Sequence, residues 1–515
     1  MQLQQIDKIY VLHCSFHEKD NAKEMGFRWN PELKRWQSMD IDVAIKAIIY
    51  APPVLAESLA KYIKQKEQAL SLSKTASFSG DKNLIIFPKG IEPYEYQKVG
   101  IEYALQRQNV LFADDMGLGK TMQAIGVINK EHPQRILIVC PNSLKINWAK
   151  ELAKFCTHQY DINIIGSDSK FNPAANVNII NYDILAKYDN LQNQDFDLLI
   201  ADEVHYAKNY KAQRSKALYG LKAKRKIAIS GTPMNKPIEL YYILRWLNKG
   251  LFPNYVEFGI KYCNGSRSGY SGAWDFSGAS NLEELQEKLR ANIMVRRLKK
   301  DVLKELPAKT RQIIELDGLS KAEQVEQKRL WDKFKDEYES AAENLSIHQM
   351  KFDEIAKIRK ETAIKKISAA ISFVKDILEN SDEKLVLFAH HKEVIQAIKN
   401  ELAEYEPLII VGDTSLKERD DCVEQFQKNP TKRVFIGSIM ACAEGLTLTA
   451  SSTVIFLELL FSPDKMCQAE DRVHRIGQED KVKIYHLVLN GSIDANMVHI
   501  LVRKQRYIEK TLNTK

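Results

Sequence analysis

The stretch Asn109 to Thr121, N-V-L-F-A-D-D-M-G-L-G-K-T, constrains the fold more than any other part of the chain. Val110 to Ala113 is an apolar run of a length that suits a buried strand. Gly117 and Gly119 free the backbone for a tight turn, and Lys120-Thr121 opens a helical pattern, Met122 to Ile128. A strand that turns through glycines into a helix leaves backbone N–H groups and the helix N-terminus facing one point, which favours a phosphate. In such a cradle Asp114, Asp115, Met116, Gly117, Leu118 and Gly119 wrap the phosphates, Lys120 reaches the outer ones and Thr121 holds Mg²⁺. The strict pattern, G-x-x-x-x-G-K-[ST], fails at its first position, which is Asp114. A chance G-K-T in a loop is the alternative, and the rest of the chain has to decide between the two.

A chain of 515 residues has room for roughly two to four domains, and a hydrophobic fraction of 44% supplies ample core. The net charge of +8 permits a polyanionic partner without proving one. Seven scattered cysteines with no C-x-x-C pair fit a reducing compartment and no structural zinc. The N-terminus lacks an apolar segment of signal-peptide length and no run approaches membrane-spanning length. The expectation is a soluble intracellular protein, of the cytoplasm and nucleoid or of a nucleus, with no membrane partner.

Along the chain, residues 1–50 read as a small α/β unit: a strand from Lys8 to Cys14, a helix from His17 to Met25 ended by Gly26, and a hairpin of Phe27–Trp29 and Arg35–Gln37 around Asn30-Pro31-Glu32-Leu33. A second helix is expected from Asp42 to Tyr50. Trp29 and Trp36 then lie close together, either as core or as an aromatic surface flanked by Lys19, Lys23, Arg28, Lys34 and Arg35 that suits nucleic acid. Pro52-Pro53 breaks the chain, a polar helix follows from Glu57 to Leu70, and Ser71 to Asn83 reads as a linker. From residue 84 strands and helices alternate, with strands at Ile136–Cys140, Val177–Ile180, Phe196–Ala201 and Ile227–Ile229, which predicts an α/β domain with a mostly parallel sheet. Asn281 to Leu306 reads as a basic helix carrying Arg296, Arg297, Lys299 and Lys300, and 320–380 as charged helices. The α/β pattern returns with strands at Lys384–Ala389, Leu408–Val411, Arg433–Gly437, Thr453–Glu458 and Val482–Leu489. The predicted architecture is therefore two α/β lobes, 84–305 and 381–515, joined by a helical region, 306–380, and preceded by the unit 1–50 and a helix with linker, 51–83.

Two further stretches carry chemistry. Phe196 to Glu203 is a buried strand ending in two carboxylates, and ligands of open α/β sheets sit at the carboxyl ends of strands. Asp202 is placed to hold Mg²⁺, directly or through water, and Glu203 to accept a proton from an attacking water or to orient it. Ser462-Pro463 opens a helix expected to run from Asp464 to His474. On that helix Gln468, Arg472 and Arg475 share one face, and paired arginines suit a phosphate that gains negative charge in a transition state. A surface helix with ion pairs to Glu470 and Asp471 is the competing reading.

In order along the chain, Tyr96-Gln97, Asp114 to Thr121, Asp202-Glu203-Val204-His205, Ser230-Gly231-Thr232-Pro233 and Gln468 to Gln478 resemble the motifs of superfamily-two helicases. Q-A-E-D-R-V-H-R-I-G-Q resembles the Swi/Snf-type branch, and R-R-L-K-K-D-V-L-K-E-L-P at 296–307 its inter-lobe block. The resemblance covers roughly residues 84–510 and is strongest to the annealing-helicase, fork-remodelling group. F-R-W-N-P-E-L-K-R-W in residues 1–50 is similar to the HepA-related (HARP) domain of that group. The resemblance implies two RecA-like lobes and ATP with Mg²⁺. It implies that Gln97 reads adenine, that Gly117 to Thr121 hold phosphates and metal, and that Arg472 and Arg475 act as arginine fingers beside Gln468. It further implies that Ser230 to Thr232 and Gly445-Leu446-Thr447 couple the nucleotide to DNA, with Pro141, Ser143 and Lys145 near the DNA backbone. Two positions depart from the pattern: Phe461-Ser462-Pro463 stands where many relatives have Trp-Asn-Pro, and Val204 where small or polar residues are common.

The function expected from these residues is a DNA-dependent ATPase that moves along duplex DNA and anneals or remodels branched, fork-like DNA, acting as a monomer, with single-strand-binding or replication proteins as candidate partners. The alternatives are an ATP-driven remover of polymerase or other proteins from nucleic acid, and a DNA-binding scaffold with a silent ATP site.

Overall fold

The computed structural model describes residues 1–7, 9–166, 169–231, 237–267, 272–303, 305–341, 349–443, 445–460, 463–499 and 501, with the backbone alone over 333–341, 349–356, 463 and 464. Thr232, Pro233, Phe461 and Ser462 lie outside the described residues.

The N-terminal unit is an antiparallel sheet of β1 (Gln2–Ile6), β2 (Ile9–His13), β3 (Arg28–Asn30) and β4 (Arg35–Ser38), in the order β1-β2-β4-β3. The turn between β3 and β4 forms because Asn30 Oδ1 accepts from the N–H groups of Glu32 and Leu33, each at 3.0 Å. That register sets Trp29 directly opposite Trp36, with ring centroids 5.7 Å apart. Gly26, at φ 102°, ends the helix Lys19–Met25 in the left-handed conformation a β-carbon would strain. The expected helix from Asp42 to Tyr50 divides into Ile41–Lys46 and a 3₁₀ turn, Ile48–Tyr50. The prolines begin a helix rather than break the chain: Pro53 is the first residue of Pro53–Lys74, where its missing N–H costs nothing. Leu55 and Leu59 of that helix join Leu3, Tyr10, Leu12 and Phe27 in one buried cluster. Its far end packs along the helix Leu282–Asn292, where Tyr62 donates to Asn292 Oδ1 at 3.0 Å and Arg290 to the Ser73 carbonyl at 3.1 Å.

The first lobe is built on β5 (Asn109–Phe112), β6 (Ile136–Cys140), β7 (Ile162–Ile164), β8 (Val177–Asn181), β9 (Asp195–Asp202) and β10 (Lys222–Ile229). A small ribbon follows, β11 (Ser266–Arg267) with β12 (Trp274–Asp275), and then β13 (Met294–Val295). The sheet order is β13-β5-β10-β9-β6-β8-β7. The basic helix expected from Asn281 to Leu306 divides into Leu282–Asn292 and a short helix, Lys299–Val302, because Met294-Val295 between them pairs in parallel with Leu111-Phe112.

The second sheet contains β14 (Lys309–Leu316), β15 (Leu385–Ala389), β16 (Leu408–Ile410), β17 (Val434–Ser438), β18 (Thr453–Phe456) and β19 (Val482–Leu489), in the order β14-β19-β18-β15-β17-β16. Side chains alternate across it: Leu385, Leu387 and Ala389 enter one buried cluster, Val386 and Phe388 another. Both faces are covered by helices, which is why its central strands are continuous apolar runs. Residues 306–380, expected to be helical, open with β14, which pairs with β19 along its whole length. The helices Lys321–Ala341 and Gln349–Asn380 follow. Among the described residues no helix is long and apolar enough to cross a membrane.

Residue contacts divide the chain into two compact units. The first comprises Met1–Ala113, Gly126–Leu137 and Asp183–Arg297; the second comprises Asp114–Ile125, Ile138–Tyr182 and Leu298–Lys515.

Candidate nucleotide site

In the first unit three neighbouring parallel strands end level with one another. Ile229 of β10 pairs with Phe112 of β5 on one side and with Asp202 of β9 on the other. The turn that follows β5, Ser230 after β10, and Asp202-Glu203 at the end of β9 thus leave the same edge of the sheet. Adjacent strands are about 4.8 Å apart, so β5 and β9 are separated by about 10 Å. This is the edge at which open α/β sheets bind ligands.

The carboxylate end of β9 is held in a particular way. Asp202 is 6% exposed and its Oδ1 accepts from the Glu203 N–H at 2.9 Å. Glu203 follows with φ 48° and ψ 51°, a left-handed conformation rare for a residue with a side chain. Its Oε2 is 3.2 Å from His205 Nδ1, which is also 3.2 Å from Ser230 Oγ. His205 thereby joins the two carboxyl-end segments, β9 and β10. Gln97, 1% exposed, caps its own helix, its Oε1 accepting from the Tyr94 N–H at 2.9 Å. Arg297 donates to the Tyr96 carbonyl and lies over the Tyr96 ring, while Arg296 donates to the Ala113 carbonyl at 2.7 Å. These arginines, read from sequence as part of a basic helix, are buried braces of the segment that enters the glycine turn.

The glycine turn itself belongs to the second unit. Gly117 and Gly119 have φ of 74° and 69°, so both use the freedom only glycine has. A β-carbon on Gly117 would stand 3.0 Å from Arg475 Cβ. Lys120 Nζ donates to the Asp114 and Asp115 carbonyls at 2.9 and 3.0 Å, lying across the turn. Asp114, fully buried, accepts from Gln123 Nε2 at 2.9 Å, which ties the odd first position of the turn to the first turn of the helix Lys120–Glu131. Met116 N–H is capped by Asp115 Oδ1 at 3.1 Å. Leu118 is buried beneath the turn and Thr121 stands half-buried at the start of the helix.

The arginine segment differs from expectation. The helix is only Pro463–Glu470, so Arg472 and Arg475 lie in the turns beyond it and not on one helical face with Gln468. One local and two tertiary bonds hold them instead: Arg472 Nε donates to the Gln468 carbonyl at 3.1 Å, and Arg475 donates to the Leu446 carbonyl at 3.1 Å and to Thr447 Oγ1 at 2.9 Å. Burial, and then the charge of Arg472, pull the Arg475 guanidinium down to about 10. Glu470 and Asp471 pair with Arg311, Lys309 and Lys299. Gly445, at φ 79°, would bring a β-carbon to 3.0 Å from Leu144 Cδ2 and 3.3 Å from the Ser143 carbonyl. Lys145 is buried against the Ile165 carbonyl and Asn181 rather than exposed.

A parallel sheet with a glycine turn feeding a helix, an acidic pair at a neighbouring strand end, and a second parallel-sheet lobe carrying buried arginines define a helicase-like, ATP-dependent enzyme core. Comparison with known proteins agrees. Residues 96–383 match the SNF2-related domain and residues 365–477 the helicase conserved C-terminal domain. The human "DNA annealing helicase and endonuclease ZRANB3" is 39% identical over 441 residues, 81% of this chain and 40% of that protein. A Caenorhabditis elegans "SWI/SNF-related matrix-associated actin-dependent regulator of chromatin subfamily A-like protein 1 homolog" is 32% identical over 521 residues, 97% of this chain and 74% of that protein. Among solved structures, a "Sulfolobus solfataricus SWI2/SNF2 ATPase core in complex with dsDNA" is 25% identical with a TM-score of 0.40, covering 82% of this chain and 94% of that one. The chain belongs to the SNF2 family. It spans about two fifths of the length of the vertebrate relatives it matches.

Sequence reasoning missed Gln123, and it gave no role to His205, quoted only within the Asp202–His205 motif, or to Arg296, Arg297 and Lys299. The R-R-L-K-K block was visible, but the partners of its side chains are backbone carbonyls and a carboxylate that are distant in sequence.

Proposed function

We propose that the chain is a DNA-dependent ATPase that moves along duplex DNA and anneals or remodels branched, fork-like DNA. The observation that carries the ATPase is the level row of strand ends, with Glu203 held in a left-handed conformation and His205 Nδ1 3.2 Å from both Glu203 Oε2 and Ser230 Oγ. Family membership and the name of the human relative, a DNA annealing helicase, support DNA annealing as the work done with the ATP.

The roles follow from the chemistry of each group. The Gly117 and Gly119 turn presents backbone N–H groups to the phosphates of ATP, and Lys120 exchanges its two carbonyl acceptors for their oxygens. Thr121 and Asp202 are oxygen donors of the kind Mg²⁺ takes, together with phosphates and water. The metal supplies neutralisation of phosphate charge. Glu203 accepts a proton from the attacking water, and His205 fixes the carboxylate that does so. Arg472 and Arg475 stabilise the charge that develops on the transferred phosphoryl group. Gln97 faces the adenine, and Gln468 keeps Arg472 in place. Ser230 reports the state of Glu203 to the backbone after β10, while Gly445-Leu446-Thr447 does so for Arg475.

The N-terminal unit supplies the preference for branched DNA. Trp29 is 50% exposed although its neighbour Trp36 packs into the core. A half-exposed indole braced by a partly buried one, tilted 58° to it, offers an aromatic face to an unpaired base. The test is fork remodelling: with ATP the protein should reanneal the parental strands of a synthetic fork, and Trp29→Ala should lose most of that while keeping duplex-stimulated ATPase. Equal fork remodelling by both would remove the N-terminal unit from the account.

A further inference from the structure

Three cations and two carboxylates cluster in the second compact unit, with Lys309 and Arg311 partly exposed. Glu470 is fully buried, and Lys299 and Asp471 are each 8% exposed. Arg311 donates to Glu470 at 2.9 and 2.7 Å, and Lys309 Nζ lies 2.9 Å from Glu470 Oε2 and 3.3 Å from Asp471 Oδ1. Lys299 Nζ lies 2.8 Å from Asp471 Oδ1 and donates to the His474 carbonyl at 2.8 Å. Both carboxylates would keep a cationic partner without Lys299. What Lys299 adds is a link between Asp471 and the Asp115 carboxylate of the glycine turn, and a buried charge is costly unless geometry requires it.

Its reach shows what the geometry is. The Lys299 N–H is 3.4 Å from Asp115 Oδ2, within the glycine turn. A β-carbon on Gly117 would stand 3.4 Å from Lys299 Cε and 3.0 Å from Arg475 Cβ. The His474 carbonyl that Lys299 grips belongs to the peptide leading into Arg475. His474 itself, driven down to about 4 by burial and by Lys299 and Lys309, is neutral near pH 7. Its Nε2 is 2.8 Å from the Pro307 carbonyl, so it does not compete for Asp471.

We propose that Lys299 is a positioning residue, which holds the peptide before Arg475, and Asp471 with it, against the Gly117 turn so that Arg475 is aimed at the phosphates. This rests on the reading of Arg475 as an arginine finger. Lys299 does not contact the nucleotide; it sets where Arg475 stands. Glycine at 117 is then required twice, for its positive φ and for the room that Lys299 and Arg475 occupy.

The test compares the full chain with Lys299→Met, Asp471→Asn and the double variant in DNA-stimulated ATP turnover. Lys299→Met should lower kcat roughly tenfold or more, within the ~10²-fold that a 1 Å misplacement can cost, with KM for ATP within about twofold. The double variant should lose no more than the worse single variant. A raised KM with unchanged kcat would make Lys299 a nucleotide contact and overturn the proposal. Losses that multiply in the double variant would overturn it as well. If Lys299→Met does not fold, Asp471→Asn carries the test, since Lys309, Glu470 and Arg311 remain paired; wild-type kcat there is a refutation. A wild-type chain with no ATP turnover would instead sink the proposed function, whereas normal turnover in Lys299→Met beside an active wild type would sink this inference alone.

Discussion

Gln123 Nε2 donates to Asp114 Oδ2 at 2.9 Å, in the buried floor of the glycine turn. This bond accounts for the departure at the first position of the phosphate-loop pattern. A glycine there would leave the Gln123 amide buried without that acceptor. Asp114→Ala should therefore lower stability by about 1–3 kcal/mol, the scale of a buried hydrogen bond whose acceptor is removed, and weaken nucleotide binding. Thermal melting with and without ADP measures both, and an unchanged melting temperature would contradict the role given to the pair.

Lys120 and Glu203 should separate binding from chemistry. Lys120→Ala should lose nucleotide affinity because the turn loses the cation that lies across it, and turnover should follow. Glu203→Gln should bind ATP as the wild type does and hydrolyse it very slowly, since its amide cannot accept the proton. A fluorescent nucleotide titration beside a turnover assay distinguishes them; wild-type turnover in Glu203→Gln removes it from the chemistry.

Acid stability should be governed by His486 before the carboxylates. His486 is 2% exposed, stacked on Phe456 at 5.2 Å, and both ring nitrogens lack a hydrogen-bond partner among the described residues. Burial drives it down to about 4. The unfolded chain thus takes up this proton first, so the stability from keeping the ring neutral is complete above about pH 6.5 and is lost as pH falls through 4. Burial raises the Glu470 carboxyl, but Lys309 and Arg311 outweigh it and hold it at about 2, so its contribution fades in a lower window, from about 4.5 towards 2. His486→Phe should make the loss in the upper window shallower, the remainder coming from His474, which is also held down to about 4. Melting temperatures at pH 7.5 and 5 measure it, and an equal drop in both proteins would count against the assignment.

Removing residues 1–80 should cost stability as well as targeting. The helix Pro53–Lys74 covers Leu282–Asn292, so a cut after residue 80 uncovers Leu285 and Leu289, both buried. The point substitution Trp29→Ala avoids this, since the ring is half exposed. It should weaken binding to a fork with unpaired bases by about 1–3 kcal/mol and leave the melting temperature near that of the wild type. A matched fall in affinity for continuous duplex would mean that Trp29 is not a platform for unpaired bases.

What could be read from sequence was what is local and periodic. The turn around Gly117 was legible because strand, glycine and helix follow within a few residues, and β15 because Leu385 to Ala389 is one continuous apolar run. β1 was missed because only Leu3 of Gln2–Ile6 is buried, and β14 because it is an edge strand with charges alternating along it. The arginine helix was drawn too long: the periodicity continues past Glu470, but the backbone turns where Glu470 and Asp471 are pulled to Arg311, Lys309 and Lys299. Pairs such as Lys299 with Asp471 are made by the fold and leave no pattern in a single sequence.

The most direct measurement is the rate of ATP hydrolysis by the wild-type chain without DNA and with single-stranded, duplex, forked and four-way DNA, beside Glu203→Gln. The account predicts a low rate without DNA, strong stimulation by duplex and branched DNA of unrelated sequence, and no stimulated turnover in Glu203→Gln. A rate that DNA does not change, or stimulated turnover that survives Glu203→Gln, would contradict it.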